Sequence, residues 1–236
     1  AWYHGDTDQY QQKMRGKKIG RSRSIGGMIE TEIGDGLLVL AEGLNITYIP
    51  AREKLPPKHQ LLRGFDEESC IVMSVRMYGG MMFFPDGVIE GCLMEYINAA
   101  SNKPQVLSDD FTQQYFLSLL QGEEMAKKSA KAALATEQTI PGLGNGVLQD
   151  ILYNARINPK TKIAALSPQQ HVALYDSICS TLHQMLESGG RSSETDIFGK
   201  AGRYAPYLSK DTVGQPCTRC GAVIVKEAYM GGSIYY

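Results

Sequence analysis

The chain has 236 residues, 43% of them hydrophobic, and a formal net charge of -1 at pH 7. This length is enough for a sizeable core and two small domains, and the charge argues against nucleic-acid binding over the whole surface, so any basic surface must be local. No apolar run has the length of a membrane span, and residues 1–10 lack the regions of a signal peptide, so we expect a globular cytoplasmic protein.

Residues 1–105 have the pattern of an antiparallel β domain, because short β-rich runs alternate with Gly, Pro and Asp. The runs are Met28–Ile33, 37–49, 70–77 and 79–84. This spacing favours a sandwich of antiparallel strands. Asp35-Gly36 predicts a hairpin turn, and the LPPKH segment at 55–59 predicts an extended loop. Since Ala1 is neither an initiating methionine nor a helix cap, we expect the chain to begin within a longer protein.

From Asp109 onward the hydrophobic period becomes helical. Asp110 is predicted to cap a helix that ends at Gly122, and a second helix is predicted from Glu123 to about Thr136. Further on, the sequence from Ser167 to Gln170 has the capping-box pattern with proline at the first helical position. This pattern predicts a long helix with a structural role, which ends at two consecutive glycines.

Residues 138–159, between these helices, predict two helices joined at a glycine-rich bend. Pro141, Gly142 and Gly144 prevent a continuous helix, and the second helix is expected to begin at about Asn145. Unpaired N–H groups at a helix amino end, together with the helix dipole, favour an anion such as phosphate, and Asn145 adds a side-chain donor. Many such corners bind nothing, so the turn alone leaves a purely structural role open.

Two cysteines near the end of the chain have a pattern of their own. The segment GQPCTRCG places Cys217 and Cys220 on one tight loop, which is typical of a zinc knuckle. A redox-active pair is the alternative. It is less favoured because these cysteines do not lie at the start of a helix that follows a strand. The segments at 222–229 and 233–236 predict a hairpin that follows the knuckle. The other cysteines lie in apolar surroundings and are expected to be packed thiols: Cys70, Cys92 and Cys179.

The run PGLGNGVLQDILYNARINP, at 141–159, and the downstream Cys-x-x-Cys resemble the formamidopyrimidine-DNA glycosylase / endonuclease VIII family. In that family the run is a helix-two-turn-helix and the cysteines belong to a zinc finger. The resemblance covers nearly the whole chain and implies an α+β fold in three parts. These are a β-sandwich domain at 1–105, a helical DNA-binding domain at 106–206 and a partial zinc-finger hairpin at 207–236.

Members of this family remove oxidised bases from DNA and then cleave the strand. Their nucleophile is the secondary amine of an N-terminal proline, which forms a Schiff base with the sugar. The resemblance implies a DNA glycosylase with AP-lyase activity that acts as a monomer on damaged double-stranded DNA and carries structural Zn²⁺. Because this chain begins Ala-Trp-Tyr and ends at Tyr236, we expect the Pro-Glu upstream and a second cysteine pair downstream, with the sequence truncated at both ends.

The resemblance also assigns roles to single residues. Gly142, Gly144 and Asn145 correspond to the phosphate-binding turn. In the family, three residues fill the gap that a flipped-out nucleotide leaves in the duplex. Their counterparts here are a leucine, an arginine and a tyrosine, which are suitable side chains for insertion between stacked bases. These residues are Leu44, Arg76 and Tyr78. An ordinary strand role for the leucine and the tyrosine remains equally open.

Two family residues have no counterpart here. The family's catalytic lysine falls near Gly27, and its phosphate-binding arginine falls near Gly232. These departures favour a second hypothesis, a non-catalytic protein that binds damaged DNA. A third, less supported by the β domain and the cysteine pair, is an RNA-binding protein with a similar two-turn corner.

Overall fold

The computed structural model describes residues 3–76, 79–136 and 139–236. The chain forms two compact units. One consists of Ala1–Ser101 with Thr195–Lys200, and the other of Asn102–Glu194 with Ala201–Tyr236. The predicted division into three domains at 105 and 206 stays a prediction. Within the described residues, no helix combines the length and the apolar character needed to cross a membrane.

The first unit contains two antiparallel sheets, as the spacing of the β-rich runs predicts. One sheet has the strand order β1-β2-β3-β7 and the other β4-β6-β5. The elements are α1 (Tyr10–Met14), β1 (Ile19–Ile25), β2 (Met28–Ile33), β3 (Gly36–Leu40), β4 (Leu44–Ile49), β5 (Leu61–Gly64), β6 (Cys70–Val75), β7 (Met81–Phe84) and α2 (Cys92–Ser101). The α+β fold with an N-terminal sandwich is therefore confirmed.

Strands β3 and β7 are buried on both faces, which explains why their sequences are continuous apolar runs. On one face, Leu38 and Phe83 pack in a cluster with residues of the second sheet. On the other face, Val39 and Phe84 pack against α2. The sequence-based prediction omitted α2, although its apolar residues recur at helical spacing.

The hairpin turn between β2 and β3 lies one residue earlier than predicted. Gly36 already pairs with Ile33, so the turn consists of Gly34 and Asp35 rather than Asp35 and Gly36. Gly34 has φ +61°, a conformation that glycine adopts without steric cost. The 55–59 segment is an irregular loop, as predicted.

The second unit is helical and ends in a hairpin. Its core joins the two longest helices through residues such as Leu148, Ile151, Leu174 and Ile178, all fully buried. The elements are α3 (Gln113–Leu119), α4 (Glu123–Lys127), α5 (Ala130–Ala135), α6 (Asn145–Ala155), α7 (Pro168–Glu187), β8 (Lys226–Tyr229) and β9 (Gly232–Tyr235). The capping box of α7 is present as predicted, with the side chains of Ser167 and Gln170 each bonded to the other's backbone N–H.

Two helix boundaries differ from the prediction. Thr112, not Asp110, caps α3, because its hydroxyl accepts a hydrogen bond from the N–H of Tyr115 at 3.1 Å. The helix predicted from Glu123 to Thr136 is broken into α4 and α5. The break occurs because Ser129 takes an extended conformation and its hydroxyl caps α5 by accepting from the N–H of Ala132.

Candidate nucleic-acid interface

The bend between α5 and α6 leaves the amino end of α6 open. Gly142 has φ +79°, in the left-handed region that favours glycine, and the buried side chain of Leu143 anchors the bend to the core. Gly144 is the N-cap of α6 and provides no side-chain cap, so the first N–H groups of the helix have no intrahelical or capping partner. Asn145 is exposed at this end. The predicted start of α6 is confirmed.

A buried lysine lies beside this end of the helix. Lys131, in α5, is only 1% exposed, and its Nζ donates to the carbonyl of Tyr229 in the terminal hairpin. Burial lowers the pKa of Lys131. Within the described parts of the chain, no carboxylate forms an ion pair with it. Its Nζ also lies 5.8 Å from the ring centroid of Tyr229. A buried cation with no anionic partner is costly unless an anion completes its surroundings.

The terminal hairpin places Gly232, the first residue of β9, between Lys131 and Asn145. A Cβ atom added to Gly232 would lie 3.1 Å from Asn145 Nδ2 and 3.3 Å from Lys131 Nζ. Gln149 fixes the hairpin there, because its side chain donates to the carbonyl of Ser233 and accepts from the N–H of Tyr235, each at 3.2 Å. An amide donor and a cation therefore lie next to one open glycine, close to the uncapped end of α6.

The cysteine pair forms a tight loop closed by backbone hydrogen bonds. The N–H of Cys217 donates to Ala222 O at 2.7 Å, and the N–H of Gly221 donates to Cys217 O at 2.9 Å. Hydrogen bonds from the N–H groups of Arg219 and Cys220 lower the pKa of the Cys217 thiol to about 7. A thiolate is the form that binds zinc, so the pair fits half of a tetrahedral site. In the described residues, no three His, Cys, Asp or Glu side chains are gathered into a metal site.

The cysteine loop is docked on the second half of α6. The Arg219 guanidinium lies 4.4 Å from the ring centroid of Tyr153, and its Nη1 donates to the carbonyl of Tyr153 at 2.9 Å. Its Nη2 donates to Asn154 Oδ1 at 3.0 Å, and the hydroxyl groups of Tyr153 and Thr218 are 2.9 Å apart. The helix that begins at the open bend thus also supports the cysteine loop.

In the first unit, Leu44 and Arg76 lie at the same end of one strand pair. Leu44 opens β4 and pairs with Val75, the last residue of β6, and the N–H of Arg76 donates to Gly43 O at 2.8 Å. Arg76 is exposed, whereas Leu44 is partly buried against the core between the sheets. Tyr78 lies outside the described residues. The structure brings Leu44 and Arg76 together, and their predicted insertion into DNA stays a prediction.

Comparison with known proteins gives one consistent result. Residues 103–196 match the formamidopyrimidine-DNA glycosylase H2TH domain. A formamidopyrimidine-DNA glycosylase of Cytobacillus firmus is 29% identical over 189 residues, which are 78% of this chain and 66% of that protein. Another, from Shouchella clausii, is 26% identical over 238 residues, 98% of this chain and 83% of its own length. Residues 103–196 therefore belong to the H2TH domain family, and the chain as a whole is similar to formamidopyrimidine-DNA glycosylases.

A solved structure of the family has the same fold. The Lactococcus lactis Fpg, in a complex with DNA that contains an abasic site, is similar with a TM-score of 0.80. The two proteins share 23% identity, and the match covers 97% of this chain and 84% of the other. At this identity the likeness concerns the fold alone.

A carboxylate lies beside Gly27, near which the family resemblance predicts the position of a lysine. Gly27 lies in the turn between β1 and β2, and its N–H donates to the hydroxyl of Tyr96 at 2.9 Å. The carboxylate of Glu42 lies where a side chain of residue 27 would begin. The side chain nearest to this point is therefore an exposed carboxylate rather than an ammonium group.

Sequence reasoning missed Lys131 as a site residue. Its pattern offered one clue, because it is a lysine within the apolar segment AKAALA, on a helix that buries its neighbours Ala130 and Ala132. The contact that makes it notable joins residues 98 positions apart, from Lys131 to Tyr229.

Proposed function

We propose that this protein binds damaged double-stranded DNA and excises oxidised bases, as a DNA glycosylase of base-excision repair. One observation carries the proposal: a buried lysine that has no carboxylate partner among the described residues and an exposed asparagine amide lie together at the uncapped amino end of α6. The family relatives named formamidopyrimidine-DNA glycosylases, and the L. lactis neighbour bound to abasic-site DNA, support it.

The site is suited to a phosphate of the DNA backbone. The N–H groups of Gly144 and Asn145, Asn145 Nδ2 and Lys131 Nζ are all donors, and one of them is a cation. Gly142 and Gly144 carry no side chains that would hold a duplex away from these groups. Such contacts position a protein on DNA but carry no information about the base. Selection of a damaged base must therefore come from another part of the protein.

Leu44, Arg76 and Tyr78 are proposed to enter the duplex beside the lesion. Turning a nucleotide out of the helix costs a few kcal/mol of unstacking, which inserted apolar and aromatic side chains offset. The common location of Leu44 and Arg76 at one end of the β4–β6 pair supports this role.

Strand cleavage is proposed to use the family's chemistry. The secondary amine of an N-terminal proline, expected upstream of Ala1, attacks the sugar carbon that carries the damaged base, and the base leaves as the bond between them breaks. Opening of the sugar ring at the same carbon then gives the iminium form of a Schiff base, with the ring oxygen taking up a proton as a hydroxyl group. Zn²⁺ is proposed to hold the terminal hairpin, with Cys217 and Cys220 as two of its four ligands, and to provide structural rather than catalytic chemistry. The docking of Arg219 on Tyr153 supports this, because it ties the cysteine loop to the phosphate-binding helix.

One observation favours a second candidate, a protein that binds damaged DNA without cleaving it. At Gly27 the nearest side chain is the carboxylate of Glu42, where the family uses a lysine. A negative charge at this point would repel the DNA backbone and would not assist a reaction that relies on an ammonium group.

Borohydride trapping of the full-length protein on a duplex with an abasic site separates the two candidates. The glycosylase/lyase forms a covalent complex, because borohydride reduces the Schiff base. Tight binding without a cross-link identifies the binder. If the protein binds neither the abasic-site duplex nor any other DNA duplex, both candidates are wrong. Tighter binding of structured RNA than of these duplexes would favour the RNA-binding alternative.

A further inference from the structure

Arg191 lies flat against the first turn of α6. A Cβ atom added to Gly146 would lie 2.5 Å from both Nη1 and Nη2 of Arg191 and 2.7 Å from its Cζ. No side chain at position 146 is compatible with this placement of the guanidinium. Gly146 follows Asn145 directly, so the two residues face directions about 100° apart around the helix axis. Asn145 faces Lys131 and the hairpin, and Gly146 faces Arg191.

The hydrogen-bonding capacity of the Arg191 side chain is only partly used. Its Nη2 donates to Glu194, which is half-exposed, whereas its Nε is buried with no hydrogen-bond partner in the described part of the chain. The carboxylate of Asp150, one turn further along α6, accepts from the N–H groups of Tyr207 and Leu208 at 3.1 and 2.9 Å. Asp150 attracts Arg191 through its charge, but its main partners are these two amides.

Apart from its attraction to Glu194 and Asp150, this cation lies in an electrostatically unfavourable position. The amino end of a helix carries a partial positive charge, which repels a guanidinium and attracts an anion. A second cation, Lys131, lies at the same helix end, so two positive side chains and the helix dipole reinforce one another. All three attract anions to this helix end, and a planar guanidinium is well suited to bind a phosphate through two parallel hydrogen bonds.

We propose that Arg191 binds a backbone phosphate of DNA, and that Gly146 is glycine so that the guanidinium reaches the amino end of α6. The inference rests on the proposed DNA-binding function and extends its phosphate site to a second face of the helix. It also accounts for Gly232, where the family's arginine is absent: the guanidinium comes from residue 191 instead of from the terminal hairpin.

The alternative role of Arg191 is structural, as an ion pair with Glu194 and Asp150. The two roles differ in what Gly146→Ala changes. Its Cβ displaces the guanidinium, while alanine favours the helix more than glycine does. A phosphate-binding role predicts weaker DNA binding with equal or higher thermal stability. A structural role predicts lower thermal stability with unchanged DNA binding.

The test measures binding of a fluorescent duplex with an abasic-site analogue by anisotropy, at several salt concentrations, together with thermal unfolding. Arg191→Gln is expected to weaken binding about tenfold and to reduce the slope of log K against log salt by about 0.9. Gly146→Ala is expected to weaken binding several-fold, and Glu194→Gln to strengthen it because it releases the guanidinium. Arg203→Gln, an exposed arginine of the same unit, is the matched control and should bind within about twofold of wild type.

Wild-type binding and slope in both Arg191→Gln and Gly146→Ala would overturn the inference, as would an unchanged slope with a strongly lowered melting temperature. Failure of the proposed function gives a different result, because the wild-type protein itself then fails to bind the duplex. If the wild type binds and Asn145→Ala weakens binding while Arg191→Gln does not, only the role of Arg191 is wrong.

Discussion

Replacing Lys131 with methionine tests the phosphate site without enlarging the side chain. The lysine is 1% exposed and its hydrogen-bond acceptor is the carbonyl of Tyr229. Methionine loses this charge-assisted bond, a cost of about 1.5–3 kcal/mol, but also removes a desolvation penalty of several kcal/mol. We therefore expect the free energy of unfolding to stay unchanged or to rise by about 1 kcal/mol.

The effect of Lys131→Met on DNA binding should have the opposite direction. Loss of one charge-assisted contact to a phosphate costs about 1.5–3 kcal/mol, which is roughly a 10- to 150-fold weaker affinity, and lowers the salt slope by about 0.9. Anisotropy titrations and urea unfolding measure the two quantities. Lys127→Met, whose side chain is 68% exposed, is the control. An affinity within twofold of wild type, or a loss of stability in parallel with affinity, would refute the reasoning.

Three further predictions concern the turn, the metal and the fold. Asn145→Ala should weaken binding to damaged and undamaged duplexes alike, since a phosphate contact carries no base information, and a lesion-selective loss would contradict that role. In the full-length protein, Cys217→Ser should lower the zinc content found by elemental analysis and the melting temperature, and unchanged zinc would exclude Cys217 as a ligand. Ser167→Ala removes the capping box of α7 and should cost about 1 kcal/mol in denaturant unfolding, with DNA affinity unchanged; a negligible cost would show that the cap contributes little.

Local sequence signals predicted the elements that hold the site. The Ser167 capping box and the glycines of the bend each act within a few residues, so the limits of α7 and the start of α6 followed from the sequence. Competing local signals were harder to weigh. Ser129 breaks a segment that reads as one helix, because its hydroxyl satisfies the N–H of Ala132 better in an extended conformation.

The chemical character of the site depended on contacts that no local pattern contains. Lys131 becomes a buried cation only because the terminal hairpin folds over it, 98 residues away. Arg191 is 45 positions from Gly146, and neither residue alone indicates that a guanidinium lies on the helix. The family resemblance pointed to the turn, but it did not indicate these two cations, since it predicts the family's arginine near Gly232.

The most direct measurement of the central claim is a crystal structure of this protein with a duplex that contains an uncleavable abasic-site analogue. We predict a backbone phosphate within about 3.2 Å of Asn145 Nδ2 and of an N–H group at the amino end of α6, with Lys131 Nζ beside it. A complex in which the bend from Gly142 to Asn145 contacts only protein or solvent, with the DNA bound elsewhere, would contradict the account.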